Sequence, residues 1–549
     1  MKKTEGKGVV LLRIIHWLIW IVVLLIICSG CYGHEAKSKE EDLLRVKSQA
    51  EHPSKKVILI LVDSLMYQSI DKGLQQNKLP ALKYLIDHGQ YYKDLVSSFP
   101  TMSVTIDSSL ITGTYPDQHR VPGLIWYSAK DKKVINYGTG PMEILKHGVD
   151  PVLSNAMIHL NRDHLSAQTL TIYEQLNTVG LKSGSINGLI YRGTVEHTLN
   201  IPEWIKGPTS LPGELIVKGP DFLSLGSFSN PLEGIKKMPD SLTKRMGFNN
   251  EYAVESVKYL VRNNKLPDFL YVYLPDLDQE LHKKGPSVID GVIKTDKQVQ
   301  SILNAFGSFK EALDQAIIMI AGDSGMSTIL PDSKHPVIDL PQVLHQYAIL
   351  GPGAEATSAT DIALAVNETM AYVYKLNTKD SLKQIADILK EETRIDFISW
   401  KEAGWIHVVE AGTAKEFTYK PNGKITDSYG QTWTIGSNPD VLDLHINKDL
   451  NTLKYREYPD ALKRLYGALN SHEGDFLVVS AKQGYELSGQ SSPTHKGGGG
   501  HGALHRVESL VPLIISGTTD KPDHTRIVDL KSYILRLLTK PLGKSEKTN

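Results

Sequence analysis

The chain has 549 residues, 41% of them hydrophobic and 22% charged, with 61 Lys plus Arg against 61 Asp plus Glu. That length is enough for one large α/β domain with insertions, or for two or three domains, and the composition is ordinary for a globular protein. The zero net charge, with basic residues scattered along the chain, argues against binding a nucleic acid polymer.

The N-terminus reads as an address. Lys2, Lys3, Lys7 and Arg13 precede an apolar run from Ile14 to Cys28, followed by Ser29-Gly30-Cys31. This is the order of an export signal, and Ser29-Gly30-Cys31 resembles a lipobox in which Cys31 would be lipidated. The alternative is an uncleaved anchor, although the run is short for a spanning helix of about 20 residues. Residues 1–31 are thus assigned to a signal or anchor and 32–54 to a polar tether. The body is expected at the outer face of a bacterial membrane, attached through lipid or anchor. Cys28 and Cys31 are the only cysteines, so any metal in the body must be held by His, Asp, Glu or hydroxyl oxygen.

Within the body, Val57–Val62 is an unbroken apolar run rich in β-branched residues, the pattern of a strand buried on both faces. Phe269–Leu274, Ala316–Ala321 and Val511–Ile515 read the same way. Helical stretches at 253–264 and 295–306 alternate with them. The expected fold is α/β: a mostly parallel sheet covered on both sides, with its site beyond the carboxyl ends of the strands. Three of those ends run into acid: Asp63, then Asp276 and Asp278, then Asp323. The core is assigned to 55–330 and 485–540, with a loop-rich stretch at 129–248 over the site. Residues 331–484, with Ala371–Leu376, Ser381–Glu391 and Trp405–Val409, read as an inserted α+β module.

Asp278 and His282 are four apart, so one helical turn can present both to an ion. Their spacing favours Asp278 over Asp276 as the ligand. His501 stands between Gly500 and Gly502, where the backbone can come close to an ion. Ser103 opens an expected helix over Val104–Ile111. It is either an ordinary cap or a nucleophile at the positive end of the helix dipole.

Together these segments resemble the type I phosphodiesterase and nucleotide pyrophosphatase branch of the alkaline phosphatase superfamily. Val57–Asp63 resembles its first strand, and Pro100–His119 its nucleophile segment. Asp278–Pro286 resembles its Asp-and-His motif, Gly322–Met326 its SDHGM segment, and His501-Gly502 its closing His-Gly. The resemblance implies an alkaline-phosphatase-like fold, a phosphoric ester hydrolase and two divalent ions, zinc first. One ion would take Asp278, His282 and His501. The other would take Asp63, Ser103, Asp323 and a His at position 324. Two-metal sites hold their ions roughly 3.5–4 Å apart. Ser103 would attack phosphorus in line and form a phosphoserine, which water then releases. The substrate would be a small phosphate ester.

Position 324 is Ser, a poorer zinc ligand than His. Three readings stay open: Mn or Mg in the oxygen-rich Asp63/Asp323 set, a substitute imidazole from His335 or His495, or a degenerate, non-catalytic surface-tethered binding protein. The family's phosphate-binding Asn falls on Leu124, and Trp126 marks a different substrate pocket. A phosphomonoesterase would need a cation on the free phosphate, with Arg120 or Arg192 as candidates. A sulfatase motif of CxPxR type is absent. His505 and Glu508 are candidates for support behind His501. The Asn367-Glu368-Thr369 glycosylation pattern is read as incidental.

Overall fold

Hydrophobic burial on both faces organises the first strand, β1 (Lys56–Val62). Ile58, Ile60 and Val62 join one core and Val57, Leu59 and Leu61 the other, all at most 1% exposed. The computed structural model describes residues 55–138, 141–207 and 209–539, with Leu43 and Val46. The assigned signal and nearly all of the tether therefore lie outside the described residues. Among the described residues no helix is long and apolar enough to cross a membrane.

Six further strands complete the sheet around β1. They are β2 (Gly89–Val96), β3 (Ser183–Ile186), β4 (Phe222–Ser224), β5 (Phe269–Leu274), β6 (Ala316–Gly322) and, after the second sheet, β13 (Leu510–Ser516). Their order is β2-β13-β6-β1-β5-β3-β4. From β6 through β4 every pairing is parallel. Helices Asn250–Arg262 and Asp290–Asn304 cover one face, while α1 (Ser103–Thr112) and Leu530–Thr539 cover the other. The fold is the expected α/β one.

Two features add to the expectation. The strand near Val511 runs antiparallel to both its neighbours, because an apolar run buried on both faces carries no mark of direction. The stretch 129–248 does more than cover the site, since it supplies β3 and β4.

The second sheet has nine strands. Its six longer ones are β7 (Ile362–Asn367), β8 (Met370–Lys375), β9 (Ile395–Glu402), β10 (Trp405–Glu410), β11 (Glu416–Thr426) and β12 (Asp475–Ala481). They run in the order β7-β8-β12-β9-β10-β11, with three short strands after β11. Apolar layers cover both faces. Two contacts tie this part of the chain to the segments flanking α1. Arg464, fully buried, donates to the carbonyls of Ser98 (2.8 Å) and Pro459 (3.0 Å). Asn367 Oδ1 accepts the backbone N–H groups of Leu124 (2.8 Å) and Ile125 (3.1 Å). Buried and bonded in this way, Asn367 is a structural clasp and not a glycan acceptor.

Candidate metal centre and nucleophile

Register brings the acids together. Val62 pairs with Gly322 on one side and with Leu274 on the other, so Asp63, Asp323 and the start of α2 (Asp276–Lys284) share one edge of the sheet. Asp278 sits in the first turn of α2 and His282 one turn later, with His282 Nε2 3.1 Å from Asp278 Oδ1. His501 Nε2 lies 3.5 Å from the same oxygen. Each imidazole is anchored through its other nitrogen. His282 Nδ1 donates to the Gly499 carbonyl at 2.8 Å and His501 Nδ1 to the Thr101 carbonyl at 2.6 Å. A carbonyl can only accept, so both rings turn Nε2 towards Asp278, as metal-ligating histidines do. The glycines make these approaches feasible: a Cβ on Gly498 would stand 1.9 Å from the His282 carbonyl oxygen.

On the other side, Asp323 Oδ1 accepts the N–H groups of Ser64 (2.8 Å) and Ser324 (2.6 Å). Its Oδ2 is buried and meets no donor. An orphaned carboxylate oxygen in the interior costs about 1–3 kcal/mol unless a donor or cation satisfies it. Asp63 accepts the Tyr273 hydroxyl on Oδ2, and its Oδ1 lies 3.5 Å from Ser103 Oγ. Ser103 is the first residue of α1, where the helix dipole favours an anion.

The electrostatics follow from burial. Asp63 is raised well above the usual carboxylate range by burial, then by the charges of Asp323 and Asp278. Burial also raises Asp323. Burial pushes Asp278 up too, but His282 and His501 outweigh it and hold it below the usual range. His282 is lifted to about 9: burial lowers it, and the charges of Glu368 and Asp278 more than reverse this. His501 is raised as well, against burial, by Glu368 and Asp278.

The residues present fit two divalent cations. Four buried or mostly buried carboxylates, Asp63, Asp278, Asp323 and Glu368, converge here. Among the described residues no Lys or Arg pairs with any of them. With neutral imidazoles, two divalent ions would balance the four charges.

Several named residues fall elsewhere. His335 is exposed, and its carbonyl is bonded to Arg394, so it does not replace the imidazole missing at 324. His495 lies beside His282, ring centroids 4.3 Å apart, on the Asp278 side and not beside Ser324. Asp276 pairs with Arg245 and accepts the N–H of Asn250 at 3.2 Å. Arg192 is spent on Glu174 and three carbonyls, and Arg120 bonds the Asn470 carbonyl. Trp126 lines a cavity of about 1020 Å³ together with Arg120, Lys130, Arg162, His164 and His472. Glu508 accepts Ser327 Oγ, Thr369 Oγ and the N–H of Ala503, and so braces the loop after His501.

Three residues had no signal in the motifs. Ser64 Oγ donates to Asp278 Oδ1 at 2.8 Å and lies 3.2 Å from Ser324 Oγ, bridging the two halves. Tyr273 alternates within an apolar strand and reads as core. Glu368, in the β7–β8 turn, brings Oε1 to 3.7 Å from His282 Nε2 and accepts the His501 N–H on Oε2 at 3.1 Å.

Residues 57–503 match the model of the type I phosphodiesterase/nucleotide pyrophosphatase family. The chain belongs to that family. It is therefore a phosphoester hydrolase by descent, in a family that depends on divalent metal ions. Ectonucleotide pyrophosphatase/phosphodiesterase 5 from mouse superposes with a TM-score of 0.51 at 12% identity, over 88% of this chain and 95% of that one. The human form gives the same values. Phosphonoacetate hydrolase from Sinorhizobium meliloti, bound to phosphonoformate, gives 0.53 at 15% identity over 88% and 96%. At these identities the likeness speaks for the fold alone. No match was found among curated protein sequences.

Proposed function

We propose that this protein is an exported, membrane-tethered phosphodiesterase that works with two divalent ions and uses Ser103 as nucleophile. The observation that carries the reading is the position of Ser103 Oγ, at the N-terminus of α1 and 3.5 Å from Asp63, at the sheet edge where Asp323 keeps a buried oxygen without a partner. Asp63, Ser103 and Asp323 would hold one ion and Asp278, His282 and His501 the other; when bound, the ions supply Lewis-acid stabilisation of charge on the phosphoryl oxygens and the nucleophile. The chain's own groups do the rest. The α1 N-terminus favours negative charge on the Ser103 oxygen and on the phosphoryl group in front of it. Tyr273 and the N–H groups of Ser64 and Ser324 fix the two carboxylates. His501 is locked to the nucleophile loop through Thr101, whose Oγ also accepts the Gly502 N–H at 2.7 Å. Ser103 attacks phosphorus, the ester oxygen leaves, and water hydrolyses the phosphoserine.

A diester is preferred over a monoester because Arg120 and Arg192 are engaged elsewhere, so neither grips a free dianionic phosphate. An inactive variant of the mouse relative has been solved in complex with AMP, which makes a nucleotide diester the first substrate to try. A second reading, a non-catalytic binding protein, draws on Ser324, which puts a hydroxyl where the family has imidazole. The test is hydrolysis of bis-p-nitrophenyl phosphate, p-nitrophenyl phosphate and a dinucleotide with Zn²⁺, Mn²⁺ or Mg²⁺, by native protein and Ser103→Ala. The proposal expects diester turnover that Ser103→Ala loses by at least 10³-fold with its fold intact. Equal turnover in the variant sinks the mechanism, and no turnover with any ion leaves the binding protein standing.

A further inference from the structure

We propose that Glu368 and His495, together with His282, form an additional seat for a divalent transition-metal ion, next to the Asp278 seat and sharing His282 with it. One ligand atom from each of the three lies within 4.8 Å of the other two. Glu368 Oε1 is 3.7 Å from His282 Nε2, and Nε2 is the nitrogen His495 has to offer, since its Nδ1 faces Glu486. Nitrogen and oxygen ligands at about 2.0–2.2 Å from a tetrahedral ion stand roughly 3.3–3.6 Å apart, so small side-chain adjustments close the set.

The seat is built, not a chance surface cluster. The side chains of His282, Glu368 and His495 are each only 15% exposed. Each is held by a separate bond. His282 Nδ1 donates to the Gly499 carbonyl, and Glu368 Oε2 accepts the backbone N–H of His501. Glu486, fully buried, accepts the backbone N–H of His495 on both oxygens (2.8 and 3.0 Å) and stands 3.2 Å from His495 Nδ1. A buried carboxylate behind a histidine is the usual outer support of a ligating ring.

His282 has a single nitrogen left to give, since the other is spent on Gly499. The two seats are therefore alternatives for one ion, which can change partners across the same imidazole. Asp278 and His501 belong to the core segments, whereas Glu368 comes from the turn between β7 and β8 of the second sheet and His495 from the glycine-rich loop. An ion in the new seat would cross-link that sheet to α2. The inference concerns metal binding and does not need Ser103 to be a nucleophile.

The test is Co²⁺ titration of the full chain against a competing chelator, comparing Asp278→Asn with Asp278→Asn/Glu368→Gln. Both variants keep Asp63 and Asp323, so their difference reports Glu368. Asp278→Asn is expected to retain a Co²⁺ that the second substitution weakens at least tenfold; equal affinity in the two overturns the proposal. Glu368→Cys in the otherwise native chain gives an independent reading. Added Co²⁺ should produce a thiolate-to-cobalt charge-transfer band in the near ultraviolet, and its absence would be equally decisive against the seat, whether or not the Asp278 variants fold. Diester hydrolysis measured alongside separates this outcome from the fate of the proposed reaction.

Discussion

Metal removal followed by a rise in pH should weaken this protein through His282. With the ions stripped, the protons on His282 and His501 are what offset Asp278 and Glu368, because no Lys or Arg among the described residues pairs with either. His282 is lifted to about 9, against an ordinary 6.5, by Glu368 and Asp278 in spite of burial. A histidine raised in the folded state contributes stability that is fully present below 6.5 and is lost as the pH climbs through 9. A rise of about 2.5 pKa units corresponds to roughly 3 kcal/mol, with little solvent discount for a side chain 15% exposed. For a cooperative unit of this size that is a few degrees in Tm. Bound metal replaces those protons, so the loaded protein should not lose stability over the same window, and its metal affinity should rise with pH. The assay is thermal unfolding of chelator-treated and Zn²⁺-loaded protein between pH 6 and 9, for native chain and His282→Gln. A chelated native protein whose Tm falls no more than that of chelated His282→Gln would refute the argument.

Three other perturbations probe the scaffold. Asp107, in α1, is pushed up to about 7 by burial, even though the Tyr271 hydroxyl and the Leu189 and Ile190 N–H groups pull it down. Its stability contribution is present below pH 4 and lost as pH rises through 7, so Asp107→Asn should flatten Tm against pH in that window. Gly502 has φ +134°, and a Cβ there would stand 2.4 Å from the Asn367 carbonyl oxygen. Gly502→Ala should destabilise by about 1–3 kcal/mol in chemical denaturation and lower bound metal through its neighbour His501. Arg464→Met leaves the carbonyls of Ser98 and Pro459 without their donor. It should cost about 2–5 kcal/mol and, on the proposed mechanism, reduce kcat more than KM, because Ser98 leads into the loop that carries Ser103.

The main strands were legible because a parallel strand buried on both faces must be apolar at every position, as in β1, β5 and β6. The same rule hid β3, whose Ser183-Gly184-Ser185-Ile186 is fully buried yet mostly small and polar; its neighbours provide the bulk. It also hid the direction of β13. Asp63, Asp278, His282 and Asp323 could be picked out because each follows a strand or sits in a short ligand spacing, and His501 because glycines flank it; the structure brings them together. Glu368 had no such mark, since it reaches the site from a turn of the second sheet. One sign was available only in the backbone: Glu368 sits at φ +58°, a conformation usually left to Gly or Asn, and such strain gathers at functional positions.

The serine at 324 and the glutamate at 368 make sense together. The side of the proposed nucleophile has Ser324 in place of an imidazole and offers oxygen donors: Asp63, Asp323, Ser103, and the hydroxyls of Ser64 and Ser324 close behind. The opposite side has His282 and His501, with Glu368 and His495 as neighbours. Nitrogen-rich sets favour zinc, while sets of carboxylate and hydroxyl suit harder ions such as Mn²⁺ or Mg²⁺. On the proposed reading the centre would therefore be asymmetric, with a tight ion on the α2 side and a weaker one beside Ser103. Ser64, bonded to Asp278 and within reach of Ser324, is a hydroxyl that touches both halves. Occupancy of the weaker seat would then set whether the nucleophile is armed, and the available concentration of a hard divalent cation would govern turnover more than that of zinc.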